Sequence, residues 1–174
     1  MSSHQTPSAA EIIAELTRLE LSIAVAESLT GGLLVAELVS VPGASTVVRG
    51  AVVAYSTALK HSLLGVNASL LSEYGAVYPD VAAQMAEGVR VACAIDGELA
   101  DIGLSTTGVA GPDPQDGQPV GTVFIGVATD SGTRVTALEL GGTRETIRRR
   151  VVYESLEQVR KALSSGEFSP ERPA

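Results

Sequence analysis

Cysteine is almost absent from this chain, since Cys93 is the only one in 174 residues. An intrachain disulfide is therefore excluded, which is typical of proteins in a reducing compartment. The apolar neighbours of Cys93 favour a small packed side chain over a nucleophile. No apolar run reaches the ~18 residues that a membrane span needs, and polar residues 2–5 do not resemble a signal peptide. We expect a cytoplasmic protein without membrane contact.

Positive charge is also scarce: the chain has 12 Lys and Arg residues against 20 Asp and Glu residues, which gives a formal net charge of −8. Such a chain lacks the clustered Lys and Arg that neutralise phosphates, so we expect no nucleic-acid partner. The one basic run, Arg148-Arg149-Arg150, lies in a Glu-rich helical pattern and is interpreted as a solvated face. His4 and His61 do not pair at ligand spacing, and no phosphate-binding Gly-Lys-Ser/Thr or dinucleotide Gly-x-Gly-x-x-Gly motif is present. The sequence therefore predicts neither a metal site nor a cofactor.

Aliphatic residues and glycine are abundant, with 45% apolar residues and 18 glycines. A chain of this length and composition predicts one well-packed domain. We place the domain at residues 8–163, and interpret residues 1–7 and 165–174 as loose ends because they are polar or proline-rich.

Helical and strand patterns alternate along the domain. Ser8 and Glu11 form a capping-box pattern at the first helix, Asp80 is the predicted cap of a longer helix through Ile95, and Thr143 caps the last helix. Predicted strands cover Ser22 to Ala26, Val47 to Tyr55, Asp101 to Thr107, Val120 to Thr129 and Thr133 to Leu140. The last two are joined by a hairpin turn at residues 130–132. We therefore predict an α/β fold, a three-layer α/β/α sandwich with a mixed sheet of about five strands.

Three loops follow strands, at the sheet edge where α/β proteins bind ligands. The first loop contains Glu27, Ser28, Thr30, Gly31 and Gly32. Its glycines allow backbone N–H groups to approach a ligand, and it opens a helix whose N-terminus favours a developing oxyanion. Ser28 is the predicted nucleophile. The alternative is that Ser28 or Thr30 is only a helix N-cap.

The second loop runs from Tyr55 to Lys60. Lys60 is one of only two lysines, and it lies close enough to Tyr55 for both side chains to reach one cleft. Ser–Lys and Ser–Tyr–Lys arrangements can replace a Ser–His–Asp triad when burial keeps the lysine partly neutral. The alternative is a surface lysine on a short helix. His61 is the only histidine placed to serve a triad, which we consider the weaker arrangement.

The third loop includes Thr107, Gly108 and Gly111. It can present backbone donors to a phosphate or a carbonyl oxygen, although it could also be an ordinary turn. Residues 114–119 extend it and are predicted to be flexible. Arg144, at the start of the last helix, is a candidate for binding an anionic group or an exposed first-turn arginine.

Together these motifs resemble the CinA C-terminal domain family, and within it the PncC-like stand-alone nicotinamide-nucleotide amidohydrolases. The resemblance spans residues 8–163. It rests on the order and spacing of several short segments: residues 26–32, 41–45, 49–50, 55–56 with Lys60, 63–66, 75–77, 85–88, 107–112 and 119–123.

The resemblance implies hydrolysis of nicotinamide mononucleotide to nicotinic acid mononucleotide and ammonia, a step of pyridine-nucleotide recycling. The catalytic serine, tyrosine and lysine of the family correspond to Ser28, Tyr55 and Lys60. Substrate contacts are expected from Glu27, which could orient Lys60 or face the pyridinium ring, and from the loop residues and Arg144 named above. A binding module without turnover, or an amidase for another small amide, remain the alternatives. Small metabolic enzymes are often homo-oligomers, so self-association stays open.

Overall fold

A computed structural model describes residues 8–165, which form one mixed sheet with helices on both faces. The strands are β1 (Ile23–Glu27), β2 (Val48–Val53), β3 (Ile102–Gly108), β4 (Thr122–Thr129) and β5 (Gly132–Glu139). Their order is β2-β1-β3-β4-β5. β1 is parallel to both β2 and β3, whereas β3–β4 and β4–β5 are antiparallel. The prediction of a mixed five-stranded sheet with a terminal hairpin is therefore confirmed.

Six α-helices within residues 8–165 complete the three layers. They are α1 (Ala9–Leu19), α2 (Leu33–Val39), α3 (Thr57–Leu64), α4 (Ala68–Tyr74), α5 (Pro79–Ala92) and α6 (Arg144–Ser164), with a short 3₁₀ helix at Ala44–Thr46. One core packs α1, α2 and α6 against the sheet, and the other packs α3, α4 and α5 against the opposite face. None of the helices within residues 8–165 is both long and apolar enough to cross a membrane.

The alternation of side chains along β1 explains the two cores. Ile23 and Val25 point to the face covered by α6, and Ala24 and Ala26 point to the face covered by α5. All five residues of β1 are buried, as expected for a central parallel strand. The small residues on the α5 face let that helix approach closely: a Cβ on Gly103 of β3 would lie 1.9 Å from the Ala86 carbonyl oxygen.

Two of the three predicted helix caps are present. Ser8 and Glu11 form the predicted capping box, and the Thr143 side chain accepts the Thr146 N–H. Asp80, in contrast, is not the cap of α5. The helix begins one residue earlier at Pro79, which needs no N–H partner at a first helical position, so Asp80 lies in the first turn. The helix also ends at Ala92 rather than at Ile95.

Residues 114–119, which we predicted to be flexible, contain a small hairpin. Gln115 and Gln118 exchange two backbone hydrogen bonds of 3.1 and 2.8 Å. The turn residues Asp116 and Gly117 both have positive φ, of 51° and 75°. Asp-Gly is a preferred pair for a two-residue hairpin turn of this kind, and the sequence analysis missed this signal. The predicted loose ends at residues 1–7 and 165–174 lie outside the described residues, except for Ser165.

The strand order creates a topological switch point at the carboxyl ends of the central strands. The chain passes from β1 to β2 on one side and later returns to β3 on the other side of β1. In open α/β sheets, ligands bind at the carboxyl ends of strands beside such a reversal. The segments that leave β1, β2 and β3 at this edge contain Ser28, Lys60 and the glycine-rich loop after Thr107, respectively.

Candidate active site

Ser28 lies directly after β1 in a tight, buried turn. Its N–H donates to the Thr106 carbonyl of β3 at 3.0 Å, and its own carbonyl accepts the Gly31 N–H at 3.1 Å. Gly31 and Gly32 have φ values of 58° and 96°, a region that side chains other than glycine rarely adopt. The two glycines therefore reverse the chain between the strand and α2, and fix Ser28 at the end of the sheet.

Lys60 reaches Ser28 from α3. Its Nζ donates to Ser28 Oγ at 3.0 Å and to the Ala54 carbonyl at 2.8 Å. The Lys60 side chain is 0% exposed, although lysine is among the residues least often buried. Burial lowers the pKa of Lys60 from 10.5 to about 8, against an opposing attraction from Asp116. The expectation that Lys60 is a buried partner of Ser28, and not a surface lysine, is supported by this geometry.

This pair has the geometry needed to activate a hydroxyl. A general base must lie within hydrogen-bond reach of the proton it removes, and its pKa should lie near the working pH. The separation of 3.0 Å between Lys60 Nζ and Ser28 Oγ meets the first condition. The lowered pKa of Lys60 meets the second. This arrangement is the one that acyl transfer through a serine nucleophile requires.

Tyr55 lies at the outer rim of this site. Its side chain is 59% exposed, and its hydroxyl accepts a hydrogen bond of 2.8 Å from Arg144 Nη2. Arg144 Nη1 also donates to the Gly111 carbonyl at 2.6 Å. Arg144 thus joins the loops after β2 and β3. The structure places the Tyr55 hydroxyl on this arginine, whereas the family resemblance implies that Tyr55 acts together with Ser28 and Lys60.

Glu27 has a different contact from those we predicted. It is fully buried at the end of β1. One oxygen accepts the N–H groups of Gly32 and Leu34 at 2.9 and 3.1 Å, and the other accepts the Val35 N–H at 2.8 Å. A carboxylate is favoured at a helix N-terminus, where backbone N–H groups lack partners. Glu27 therefore fixes the start of α2 and neither orients Lys60 nor faces the cleft.

Thr30 and Thr107, which we predicted to bind substrate, make buried hydrogen bonds within the protein instead. Thr30 Oγ1 and Thr106 Oγ1 share a buried hydrogen bond of 2.8 Å. Thr107 Oγ1, likewise buried, donates to the Ala76 carbonyl at 2.6 Å. Gly108 leaves room for the backbone, because a Cβ there would lie 2.6 Å from the Thr122 carbonyl oxygen. Gly111 is the one predicted residue of this loop that is linked to Arg144.

The family model of the CinA C-terminal domain matches residues 5–163. The chain belongs to the CinA C-terminal domain family. Among curated relatives, a putative competence-damage inducible protein of Geobacillus sp. (strain WCH70) is 50% identical over 145 residues, covering 83% of this chain and 34% of that protein. A CinA-like protein of Frankia casuarinae is 46% identical over 153 residues, covering 88% of this chain and 34% of the relative. This chain thus spans about a third of the length of these relatives.

Solved structures of this CinA family share the fold. The competence/damage inducible protein CihA of Agrobacterium tumefaciens has a TM-score of 0.82 at 32% identity, covering 94% of this chain and 99% of its own. The competence damage-inducible protein A of Klebsiella pneumoniae has a TM-score of 0.80 at 28% identity, with coverage of 91% and 98%. The three-layer arrangement is therefore that of the CinA superfamily.

Arg148 is a site residue that the sequence analysis missed in this CinA-family chain. Its Nε donates to the Leu29 carbonyl at 2.8 Å and its Nη2 to the Thr30 carbonyl at 2.7 Å. It therefore clamps the turn that follows Ser28. Only its neighbours Arg149 and Arg150 have the predicted solvated position, each in an exposed ion pair within α6. The helical period could have shown that Arg148 lies beside the buried face of α6 that contains Ile147 and Val151. It could not have shown which loop Arg148 contacts.

The remaining titratable candidates stay outside the Ser28–Lys60 pair. His61 Nδ1 lies 2.8 Å from the Val66 carbonyl. Burial raises the pKa of the half-buried Cys93 thiol, which disfavours the thiolate needed for nucleophilic chemistry. In residues 8–165 no three or more His, Cys, Asp or Glu side chains converge in a way that could hold a metal ion.

Proposed function

We propose that this chain hydrolyses the carboxamide of nicotinamide mononucleotide, with Ser28 as nucleophile and Lys60 as general base and acid. The observation that carries the proposal is the buried contact of 3.0 Å between Lys60 Nζ and Ser28 Oγ. A buried lysine with only a hydroxyl and a carbonyl as hydrogen-bond partners is costly for stability, so its presence supports a chemical role. The nucleotide as substrate comes from the family resemblance.

Acylation begins with neutral Lys60. Its amine takes the proton from Ser28 Oγ while that oxygen attacks the carboxamide carbon, giving a tetrahedral intermediate with a negatively charged oxygen. The Ala54 carbonyl, 2.8 Å from Lys60 Nζ, keeps the amine oriented and stabilises the ammonium as it forms. We assign Tyr55 no step in this transfer, because its hydroxyl accepts a hydrogen bond from Arg144.

The oxyanion requires backbone donors close to Ser28. We predicted them between Thr30 and Gly32, but the amides of Gly31 and Gly32 are already bonded to the Ser28 carbonyl and to Glu27. Among residues 8–165, the amides of Leu29 and Thr30 have no such partner. We assign the oxyanion to these two amides. Arg148 supports them because it binds the carbonyl groups of the same two residues.

Collapse of the intermediate breaks the bond between the carbonyl carbon and the amide nitrogen. The Lys60 ammonium gives its proton to the leaving nitrogen, so that ammonia departs and Lys60 is neutral again. A water molecule then attacks the acyl-enzyme with Lys60 as base. The carboxylate product leaves, and Ser28 recovers its proton.

The anionic end of the substrate is assigned to Arg144. Its guanidinium lies at the rim between Tyr55 and the Gly111 carbonyl, and it has no carboxylate partner in the described residues. A planar guanidinium suits bidentate binding of a phosphate. This assignment would place the phosphate at the rim and the carboxamide at the buried Ser28.

The test is ammonia release from nicotinamide mononucleotide by wild type, Ser28→Ala and Lys60→Ala. Two matched controls are available. Ser56 makes no capping hydrogen bond at the start of α3, and Lys161 is the only other lysine and is exposed. Loss of the nucleophile or of the base should lower kcat/KM by about 10³-fold or more, whereas Ser56→Ala and Lys161→Ala should retain wild-type activity.

Three outcomes separate the alternatives. Full activity in Ser28→Ala overturns the acyl-enzyme mechanism. Binding of the nucleotide by wild type without ammonia release favours a binding module. Equal or faster release from free nicotinamide favours an amidase for another small amide, because Arg144 would then have no anion to bind.

A further inference from the structure

Arg148 makes both of its bonds to the turn after Ser28 through carbonyl groups. Its Nε donates to the Leu29 carbonyl at 2.8 Å, and its Nη2 donates to the Thr30 carbonyl at 2.7 Å. Each of these carbonyl groups shares a planar peptide unit with the N–H group of the next residue. A bond that Arg148 donates to one side of the unit therefore acts on the N–H group at the other side.

The bond to Leu29 acts on one oxyanion donor directly. The Leu29 carbonyl and the Thr30 N–H belong to the same peptide unit, and the Thr30 N–H is one of the two amides assigned to the oxyanion. Because Arg148 Nε fixes the carbonyl, it also fixes the direction in which this N–H points. The Thr30 side chain is held separately by its buried hydrogen bond of 2.8 Å with Thr106.

The bond to Thr30 acts on the other donor through one further hydrogen bond. The Thr30 carbonyl shares its peptide unit with the Gly31 N–H, which donates to the Ser28 carbonyl at 3.1 Å. The Ser28 carbonyl shares its unit with the Leu29 N–H, the second assigned donor. Two chains of hydrogen-bonded peptide units thus begin at one guanidinium and end at the two amides. Hydrogen bonds in such chains polarise one another, so a charged donor at the start strengthens the donor at the end.

The charge of Arg148 is not neutralised by a neighbouring acid. No carboxylate of residues 8–165 forms an ion pair with it, whereas the next residue, Arg149, pairs with Glu145. Arg148 also lies close over the turn, because a Cβ on Gly31 would be 3.3 Å from its Nη2. A fixed positive group beside the point where negative charge develops stabilises that charge.

We propose that Arg148 is a positioning residue that orients and polarises both oxyanion donors, the N–H groups of Leu29 and Thr30. This inference rests on the proposed function, because it requires that Ser28 attacks a carbonyl carbon. Arg148 transfers no proton and does not touch the substrate. Its effect is greatest when the oxyanion is present, so it acts on kcat and not on KM.

The matched variants are Arg148→Ala and Arg149→Ala. Both remove a guanidinium from adjacent positions of α6, but only Arg148 binds the turn. Arg148→Ala should lower kcat for ammonia release from nicotinamide mononucleotide by about 10- to 100-fold, less than the loss of a whole oxyanion donor because both amides remain. Its KM should stay within about threefold of wild type. Arg149→Ala should match wild type in both constants.

Two additions distinguish positioning from a general role in folding. Guanidinium chloride at millimolar concentration should restore part of the kcat of Arg148→Ala, because the free cation can donate to the same carbonyl groups. Sodium chloride at the same concentration should not. Arg148→Lys keeps the charge but lacks the planar fork that reaches two carbonyl groups, so its kcat should lie between those of Arg148→Ala and wild type.

A further measurement does not depend on turnover. In protein labelled with ¹⁵N, the amide signals of Leu29 and Thr30 report how strongly their peptide units are polarised. Both signals should move upfield in Arg148→Ala and return toward their wild-type positions when guanidinium is added. In Arg149→Ala both signals should stay in place.

Unchanged Leu29 and Thr30 signals in folded Arg148→Ala overturn the proposal, as does a loss of activity that arises from KM alone. A fall in kcat that guanidinium does not reverse also overturns it and assigns Arg148 a structural role. If Arg148→Ala does not fold, Arg148→Lys replaces it, and wild-type kcat with wild-type signals in that variant contradicts the proposal. Absence of ammonia release by wild type contradicts the proposed function but leaves the NMR test of Arg148 intact.

Discussion

Two buried cations in this domain have opposite surroundings. Lys60 is 0% exposed and donates to Ser28 Oγ and the Ala54 carbonyl, both neutral groups. Arg90, on α5, is 8% exposed and donates to the Ala100 carbonyl and to the Asp130 carboxylate. A carboxylate therefore balances the arginine directly, whereas the hydrogen-bond partners of the lysine carry no charge.

The difference follows from what each side chain can do with its proton. Arginine stays charged in proteins, so burying it requires good hydrogen-bond partners. Lysine can instead become neutral, and burial lowers the pKa of Lys60 from 10.5 to about 8. At about 1.4 kcal/mol for each pH unit, this lowering corresponds to roughly 3 kcal/mol of stability lost at neutral pH. The buried cation without a bonded counter-ion lies beside Ser28, the proposed nucleophile, whereas the one with a counter-ion lies outside the proposed site.

The largest effect should come from Lys60→Met, which removes the amine and keeps a long apolar side chain. Loss of the base should lower kcat/KM by about 10³-fold. Stability should change in the opposite direction. At pH 7 the free energy of unfolding of the variant should be about 1–3 kcal/mol higher than that of wild type, because the variant has no buried amine to desolvate. Urea unfolding and the ammonia assay measure the two effects, with Lys161→Met as the exposed control.

The same variant tests the pH dependence of stability. Between pH 8 and 10.5 the unfolded chain holds a proton on Lys60 that the folded chain has released. The Lys60 contribution to the free energy of unfolding should therefore rise with pH across this window in wild type, by up to about 3 kcal/mol. The rise should be absent from Lys60→Met. Parallel pH curves for the two proteins would contradict the assigned pKa.

Arg90→Met should show the reverse of Lys60→Met: it should lower stability and leave activity unchanged. The Ala100 carbonyl loses its donor from the Arg90 side chain, which should lower the free energy of unfolding by about 2 kcal/mol. Asp130 contributes little to this loss, because its side chain is 91% exposed and can be solvated. Asp130→Asn should therefore cost only about 0.5 kcal/mol or less.

Activity decides whether the comparison holds at Arg90. Turnover by Arg90→Met should equal that of wild type at a temperature where both are folded, as judged by circular dichroism. A loss of activity in the folded variant would show that Arg90, too, belongs to the site, and the distinction between the two cations would fail.

The features that the sequence predicted are those with local signals. The capping box of Ser8 and Glu11 and the hairpin between β4 and β5 depend on near neighbours, and both are confirmed. Ser28 and Lys60 could be paired because both follow adjacent strands, and the carboxyl ends of parallel strands meet at one edge.

The features that it missed depend on distant contacts. Arg148 binds Leu29 from 119 residues away, and no periodicity identifies such a partner. Glu27 was placed in the cleft, because its position after β1 does not tell whether a carboxylate turns to the ligand or to the helix N-terminus. Tyr55 shows the same ambiguity: its place in the chain fits the site, but the orientation of its hydroxyl depends on Arg144 in α6.

Tyr55→Phe should have the smallest effect, and it sharpens the comparison. If the Ser28 hydroxyl and the Ala54 carbonyl are the only groups that Lys60 needs for catalysis, removal of the Tyr55 hydroxyl should leave kcat within about threefold of wild type. The loss should appear mainly in KM, by less than about tenfold, because Arg144 loses one of its two partners and holds the anionic end less firmly. A proton relay through Tyr55 would instead lower kcat by about 10²-fold or more. Steady-state kinetics of Tyr55→Phe beside Tyr153→Phe, an exposed tyrosine on α6, separates these two outcomes, and a dominant fall in kcat would return Tyr55 to the catalytic group that the sequence first suggested.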